Sequence, residues 1–201
     1  MRPVFGKELE GEQLPAADKQ SFEQTAKMFA SFKWAMAYVA PRGIGPTEWD
    51  RSERKRTQIR RRFMLLGQTR DGMRVWDVRR GVQALRATAG MRDVQLWMQG
   101  QRDMAGVTLY ASLFEPKIHR IDLWNLSKSH RNAPIFLTVP RYLDVPQAVP
   151  IATHTSHVQI HQADDTCWEF AHQTTLYPGC DTNQMHIRKL HECAPPHHSP
   201  S

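Results

Sequence analysis

Long apolar runs, an export signal and paired cysteines are all absent from this chain of 201 residues. No stretch of about 18 apolar residues could span a membrane, and the amino-terminal MRPVFGKELEGEQ lacks the apolar segment of a signal peptide. We therefore expect no membrane partner and, for the chain as it stands, a cytoplasmic location. Cys167, Cys180 and Cys193 fit neither a disulfide framework nor a CxxC metal motif, so we expect free thiols.

Excess positive charge is present, but only in one part of the chain. The formal net charge is +7, and residues 51–90 hold 12 Lys or Arg against 3 Asp or Glu, whereas the other parts are nearly balanced. The core of this segment, RSERKRTQIRRR at 51–62, could contact the phosphates of a nucleic acid. Because no zinc finger, RNA-stacking motif or recognition-helix pattern accompanies it, we favour a solvated, partly helical connector and expect nucleic acid not to be a partner.

Hydrophobic periodicity predicts helices that alternate with short strands. Periodic patterns indicate helices over 18–33, 71–88, 104–114 and 165–177. Short apolar runs indicate about five strands, at 34–40, 94–99, 119–126, 157–162 and 184–190. The segment 132–149, which contains Pro134, Pro140 and Pro146, is expected to be irregular.

This alternation predicts the α/β class, with a mainly parallel sheet and helices on both of its faces. We divide the chain into an amino-terminal helical segment (1–33), one α/β domain (34–190) and a disordered tail (191–201).

The passage at 94–114 is the most informative one for function. The strand VQLWMQG, which we expect to be central in the sheet, runs into Gly100 and then into the small-residue helix MAGVTLYASLF. This is the arrangement of a nucleophile elbow, in which the catalytic side chain lies above the carboxyl end of a strand and the next backbone amide faces the developing oxyanion.

From APRGIGP to IHRIDLWNL the chain resembles the α/β-hydrolase superfamily. The passages RRRFMLLGQTRDGMRVWDVRRGVQALRA and VQLWMQGQRDMAGVTLYASLFEP are similar to its acetyl xylan esterase and dienelactone-hydrolase-like branches, within residues 34–190. The resemblance implies a partial α/β-hydrolase fold and hydrolysis of carboxylic esters through an acyl-enzyme. The family has several strands before its elbow, whereas only one predicted strand precedes it here. The chain therefore looks like the carboxyl-terminal portion of a longer hydrolase or like a reduced member of the family. We expect its exposed sheet edge to favour a homodimer.

The elbow pattern places Arg102 where the family has its serine. The guanidinium stays protonated and has no lone pair for acyl attack, so we expect this chain to lack serine-hydrolase activity. If the elbow pattern is aligned one residue later, Asp103 occupies the nucleophile position as a carboxylate. Alternatively, Arg102 and Asp103 are capping or salt-bridge residues at the start of a helix. Two further functions stay open: a catalytically silent module that binds a small ester, carboxylate or protein near Arg102, and nucleic-acid contact through 51–62.

The other positions of a catalytic triad are defined only loosely. By resemblance, the acid follows a later strand, at Asp164 or Asp165, although each is also a candidate helix N-cap. His130, His186 and His191 are candidates for the histidine, although a surface or hydrogen-bonded histidine is the commoner explanation of each.

The ten histidines of the chain also raise the possibility of a metal site. His154, His157 and His161 lie near or on one predicted strand, where residues four apart share a face but are about 13 Å from each other. One ion cannot bridge that distance. We therefore expect no metal site and no cofactor.

Overall fold

A computed structural model of the chain describes residues 34–49, 52–163, 168–175 and 184–189, together with residues 20, 23, 24, 27, 28 and 30–32. The chain divides into two compact units between Arg56 and Thr57. In the first unit, the described residues between 20 and 31 are helical, as predicted for 18–33, and Gly45–Thr47 form a short 3-10 helix.

The predicted strand at 34–40 is wrong. This segment has no regular secondary structure, and none of the described strands pairs with it. Its large apolar side chains are between 43% and 53% exposed, at Trp34, Met36, Tyr38 and Val39. A continuous apolar run forms a buried strand only when a sheet supplies partners on both sides and a cover on both faces.

The second unit contains a four-stranded sheet in which every pairing is parallel. Its strands are β1 (Leu96–Gln101), β2 (Ile118–Trp124), β3 (His157–Gln162) and β4 (Met185–Lys189), in the order β1-β2-β3-β4. This arrangement confirms the α/β class and four of the five predicted strands. Among the described strands β1 pairs with β2 alone, so β1 is an edge strand and not the central strand that we expected.

The helices are α1 (Glu53–Leu65), α2 (Arg70–Ala87), α3 (Asp103–Ser112), α4 (Val145–Thr153) and α5 (Glu169–Thr175). Of these, α2, α3 and α5 match predicted helices, whereas α4 lies where an irregular segment was predicted. The Asp144 side chain caps α4 by accepting a hydrogen bond from the Val145 amide. Pro146 falls in the first turn, where an amide hydrogen would have no partner within the helix, and it therefore does not prevent the helix from starting.

The helices that contact the sheet lie on one of its faces. Helix α3 contacts β1 and β2, α4 contacts β3, and α2, α3, α4 and α5 contact one another in that succession. Right-handed crossovers place each connecting helix on the same side when the strand order never reverses. Helices α2 to α5 therefore form one layer instead of the two that we expected. The core lies between this layer and the sheet and includes the fully buried Val107, Ile121, Leu123, Val149 and Ile160.

Candidate functional site

The turn between β1 and α3 contains a strained residue, Arg102. Its backbone angles are φ 54° and ψ −124°, a left-handed conformation that residues other than glycine rarely adopt. Such a conformation costs on the order of 1–3 kcal/mol and persists when the surrounding structure enforces it. A sharp, strained turn from strand to helix is also what defines a nucleophile elbow. The strained position is Arg102, because Asp103 is already the first residue of α3.

Close packing of α3 on β1 accounts for Gly100. A Cβ atom at this position would lie 2.5 Å from the Thr108 hydroxyl oxygen, so that only glycine fits here. Gly100 stands two residues before the strained position and lets α3 start directly over β1.

Two backbone hydrogen bonds hold the turn in place. The Arg102 amide donates to the Trp124 carbonyl at 2.8 Å, which extends the pairing of β1 with β2 by one residue. The Arg102 carbonyl accepts from the Ala105 amide at 2.9 Å, at the start of α3. The amides of Asp103 and Met104 have no partner inside the helix, as for the first residues of any helix, and they attract negative charge. The Arg102 side chain itself is exposed.

A buried arginine lies beside this turn. Arg74 on α2 is 4% exposed, and its guanidinium contacts the Asp71 carboxylate at 3.4 Å. Burial, followed by the positive charge of Arg70, lowers the pKa of Arg74, whereas the carboxylates of Asp71 and Asp103 act in the opposite direction. The second oxygen of Asp71 accepts from the Ile135 amide at 2.9 Å. These contacts connect α2 to the loop after β2 and place a fixed positive charge near Asp103.

His130 lies in the interior and not at an open site. Its Nδ1 is 2.7 Å from the Pro134 carbonyl oxygen, which can only accept, so Nδ1 carries the hydrogen. Its Nε2 then accepts from the Tyr110 hydroxyl at 2.6 Å. Both residues are buried, with 6% of His130 and 5% of Tyr110 exposed. Because both ring nitrogens are occupied, this histidine holds the loop after β2 on α3 and has no free lone pair for proton transfer.

Asp144 completes this cluster. Its carboxylate accepts hydrogen bonds from the His130 amide at 2.7 Å, the Ser129 hydroxyl at 2.7 Å and the Val145 amide at 2.8 Å. Partial burial alone would raise the pKa of Asp144, but these hydrogen bonds and the nearby His130 outweigh it, so the pKa lies below its usual value. These hydrogen bonds join Ser129 and His130 to the start of α4.

The remaining predicted residues are not brought to the turn by any described contact. Asp164, Asp165 and His191 lie outside the described residues, and His186 is exposed on β4. Arg60, Arg61 and Arg62 lie on α1, where no described side chain is fully buried, so nucleic-acid contact through 51–62 stays a prediction.

Sequence reasoning missed a polar network on the sheet face opposite the helices. Arg120 makes two hydrogen bonds of 2.8 Å to the Asp122 carboxylate, and His161 Nε2 donates to the same carboxylate at 3.1 Å. The Trp124 ring stacks on His161 with centroids 3.9 Å apart, and among the described residues the buried Trp124 Nε1–H has no acceptor. The polar residues that alternate with apolar ones in HRIDLW and HVQIHQ were the available signal, because parallel strands covered on both faces lack this alternation.

A cleft of about 300 Å³ lies at the amino-terminal edge of the sheet, away from the turn between β1 and α3. It is lined by residues that precede or begin β1, β2 and β3, together with Arg86 of α2. This position is unusual for a ligand site, because parallel α/β sheets bind ligands at the carboxyl ends of their strands.

In the described ranges, no group of three or more His, Cys, Asp or Glu side chains is arranged to hold a metal ion.

Within the part of the chain that the structure describes, no helix has the length and apolar character needed to cross a membrane. Comparisons with protein-family models, with curated proteins and with solved structures find no match for this chain.

Proposed function

We propose that the second unit, which begins at Thr57, contains an α/β-hydrolase-like domain whose nucleophile position holds Arg102, and that the chain binds a small carboxylate ligand there without hydrolysing esters. The observation that carries this proposal is the backbone of Arg102, at φ 54° and ψ −124° between β1 and α3. The resemblance of the surrounding sequence to acetyl xylan esterase-like hydrolases supports it.

Three features support binding of a carboxylate at this turn. The guanidinium of Arg102 is exposed and presents paired N–H donors that match the two oxygens of a carboxylate. The first amides of α3 and the positive end of its dipole lie in the same turn. The buried charge of Arg74 also offsets the carboxylate of Asp103, which would otherwise repel an anion.

Chemistry argues against ester hydrolysis by this turn. A guanidinium is a donor without a nucleophilic lone pair at any ordinary pH. Asp103, the alternative nucleophile, lies in the first turn of α3 and outside the strained position. His130, the candidate base, has both ring nitrogens in hydrogen bonds. Serine-type catalysis needs a nucleophile within reach of a free base, and this pair of residues does not supply it.

Binding of acetate and benzoate, followed by NMR chemical-shift changes, tests the binding half of the proposal. We expect saturable shifts that are lost in Arg102→Ala and weakened in Arg102→Lys, because lysine cannot form the bidentate pair. Arg131→Ala, at another exposed loop arginine, is the matched control and should bind as the wild type does. Equal affinity of wild type and Arg102→Ala would refute carboxylate binding at this turn.

Hydrolysis of p-nitrophenyl acetate tests the catalytic half. We expect the rate with the wild type to equal the rates with Arg102→Ala and with Asp103→Asn. Turnover that disappears in Asp103→Asn would show an aspartate nucleophile and overturn the assignment of a silent site. Arg102→Ser is a useful companion, because restored activity would indicate that the rest of an esterase site is intact.

A further inference from the structure

Two histidines from neighbouring strands meet at the amino-terminal edge of the sheet. The ring centroids of His119 on β2 and His157 on β3 are 5.4 Å apart, with an angle of 64° between the ring planes. His119 is exposed and His157 is half-buried. Among the described residues, neither ring has a hydrogen-bond partner, so no described protein group competes with a ligand for the ring nitrogens.

The backbone fixes the positions of both residues. The pairing of β1 with β2 passes from Leu96 opposite Ile118 to Trp97 opposite Arg120, so His119 is the extra residue of a β-bulge. Bulges redirect a side chain, and they are common next to functional sites. On the other side, the buried Ser156 hydroxyl donates to the Ile118 carbonyl at 2.7 Å. This bond joins the residues that directly precede the two histidines.

We propose that His119 and His157 together bind one first-row transition metal ion of the class that imidazole prefers, Ni²⁺, Cu²⁺ or Zn²⁺. With metal–nitrogen distances of about 2.0–2.1 Å, each ring centroid lies roughly 3 Å from the ion, and two such rings at a tetrahedral angle have centroids about 5 Å apart. The observed separation of 5.4 Å therefore fits two imidazoles on one ion. The exposed His119 ring can rotate to direct its nitrogen at the ion without disturbing the core.

The cleft beside the pair provides room for the other ligands of the ion. It has a volume of about 300 Å³, and His119 and Thr155 are among the residues that line it. Asp93 and Lys117, also in its lining, form an exposed ion pair at 3.5 Å, so part of the lining is polar and solvent-accessible. Water or a small anionic molecule can therefore complete the coordination, so the site is open and not a closed structural one. This inference is independent of the function proposed for Arg102.

Thermal unfolding of the full chain with and without excess Ni²⁺ tests the proposal. A metal that binds the folded state and joins two strands raises the midpoint of unfolding. We expect His119→Asn and His157→Asn each to abolish this rise and to weaken Ni²⁺ binding, measured by calorimetry, by about tenfold or more, because a chelate loses its advantage when either ligand is removed. His154→Asn, at an exposed neighbour that lies outside the pair, is the matched control.

The histidines near the chain end need a separate control, because His197 and His198 can bind Ni²⁺ by themselves. All variants are therefore compared in a full chain that also carries His197→Ala and His198→Ala. A rise in the unfolding midpoint that requires both His119 and His157 in this background supports the site. Binding that persists in His119→Asn and His157→Asn, or no rise in the wild type, would overturn it.

Discussion

A Cβ atom at Gly100 would lie 2.5 Å from the carbonyl oxygen of Met104 and 2.9 Å from Cα of Ala105. Both are backbone atoms, so no side chain can move aside to make room. We expect Gly100→Ala to push α3 away from β1 and to lower the free energy of unfolding by about 1–3 kcal/mol, as overpacked cores do.

Urea denaturation measures this change. Gln99→Ala, at the exposed neighbour on β1, is the control and should change the free energy of unfolding by less than about 0.5 kcal/mol. Equal midpoints for Gly100→Ala and wild type would contradict the close packing of α3 on β1.

The strained backbone of Arg102 predicts a substitution that stabilises the protein. Glycine adopts positive φ without penalty, so Arg102→Gly relieves on the order of 1–3 kcal/mol of strain. The greater entropy of glycine in the unfolded chain cancels about 0.5–1 kcal/mol of this gain. We expect a net increase of about 1 kcal/mol in the free energy of unfolding, together with loss of carboxylate binding.

Arg131→Gly is the control, because Arg131 is exposed but does not have positive φ. This variant is expected to be slightly less stable than the wild type. A lower stability of Arg102→Gly than of Arg131→Gly would mean that the Arg102 side chain contributes more to the fold than its backbone strain costs.

Burial of Tyr110, together with the nearby negative charge of Asp144, makes the free energy of unfolding depend on pH in the alkaline range. Burial raises the pKa of Tyr110 above its usual value, so the folded state resists loss of the phenolic proton. This contribution is fully present below the unfolded pKa of about 10 and is lost as the pH rises above it. At neutral pH, Tyr110→Phe leaves the buried Nε2 of His130 without a donor, and we expect a loss of about 1–3 kcal/mol.

Chemical denaturation of Tyr110→Phe near neutral pH and above about pH 10 checks both effects. The variant should be less stable at neutral pH and should lose less stability on going to alkaline pH than the wild type does. Tyr142→Phe is the control, because Tyr142 is 83% exposed and should behave as the wild type at both pH values.

The carboxylate of Asp144 makes the free energy of unfolding depend on pH in the acid range. Its pKa is lowered by hydrogen bonds that outweigh partial burial, so its contribution is present above the unfolded pKa of about 3.9 and is lost as the pH falls through the lower folded value. Asp144→Ala removes the cap of α4, which costs about 0.5–2 kcal/mol at neutral pH.

Unfolding curves of Asp144→Ala at neutral pH and below about pH 4 check this expectation, and the variant should lose less stability on acidification than the wild type. Asp93→Asn, at a carboxylate whose side chain is 79% exposed, is the control. If Asp93→Asn and Asp144→Ala flatten the pH dependence equally, the hydrogen bonds to Asp144 do not determine it.

Local patterns in the sequence were sufficient for most of the sheet and its helices. Strand β3 occupies the predicted residues 157–162, and α2 begins and ends within one residue of the predicted 71–88. Helix α2 has a clear helical period and β3 is a short apolar run. Both patterns predict secondary structure from neighbouring residues alone. Helix α4 was missed because Pro146 was interpreted as a break, although a proline in the first turn is compatible with a helix. A second proline, Pro150, lies inside the helix.

Features that depend on how strands pair could not be predicted. The meeting of His119 with His157 requires the register of β2 on β3 and a bulge opposite β1, and neither is encoded in the spacing of histidines. The exposed run at 34–40 shows the same limit, because apolar composition does not say whether a sheet is present to cover it. The turn from β1 to α3 was the exception, since its glycine and small residues are adjacent in the sequence.

The unreversed order of the four strands has a consequence for how the chain folds. Each strand pairs with the strand that was synthesised just before it, so each pairing closes a loop that contains no other strand of the sheet. Even so, the paired residues lie between 22 (Leu96 and Ile118) and 37 (Arg120 and His157) positions apart, so each pairing is non-local and slow to form. We expect the sheet to grow during translation from β1 towards β4, with each new helix laid down beside the last.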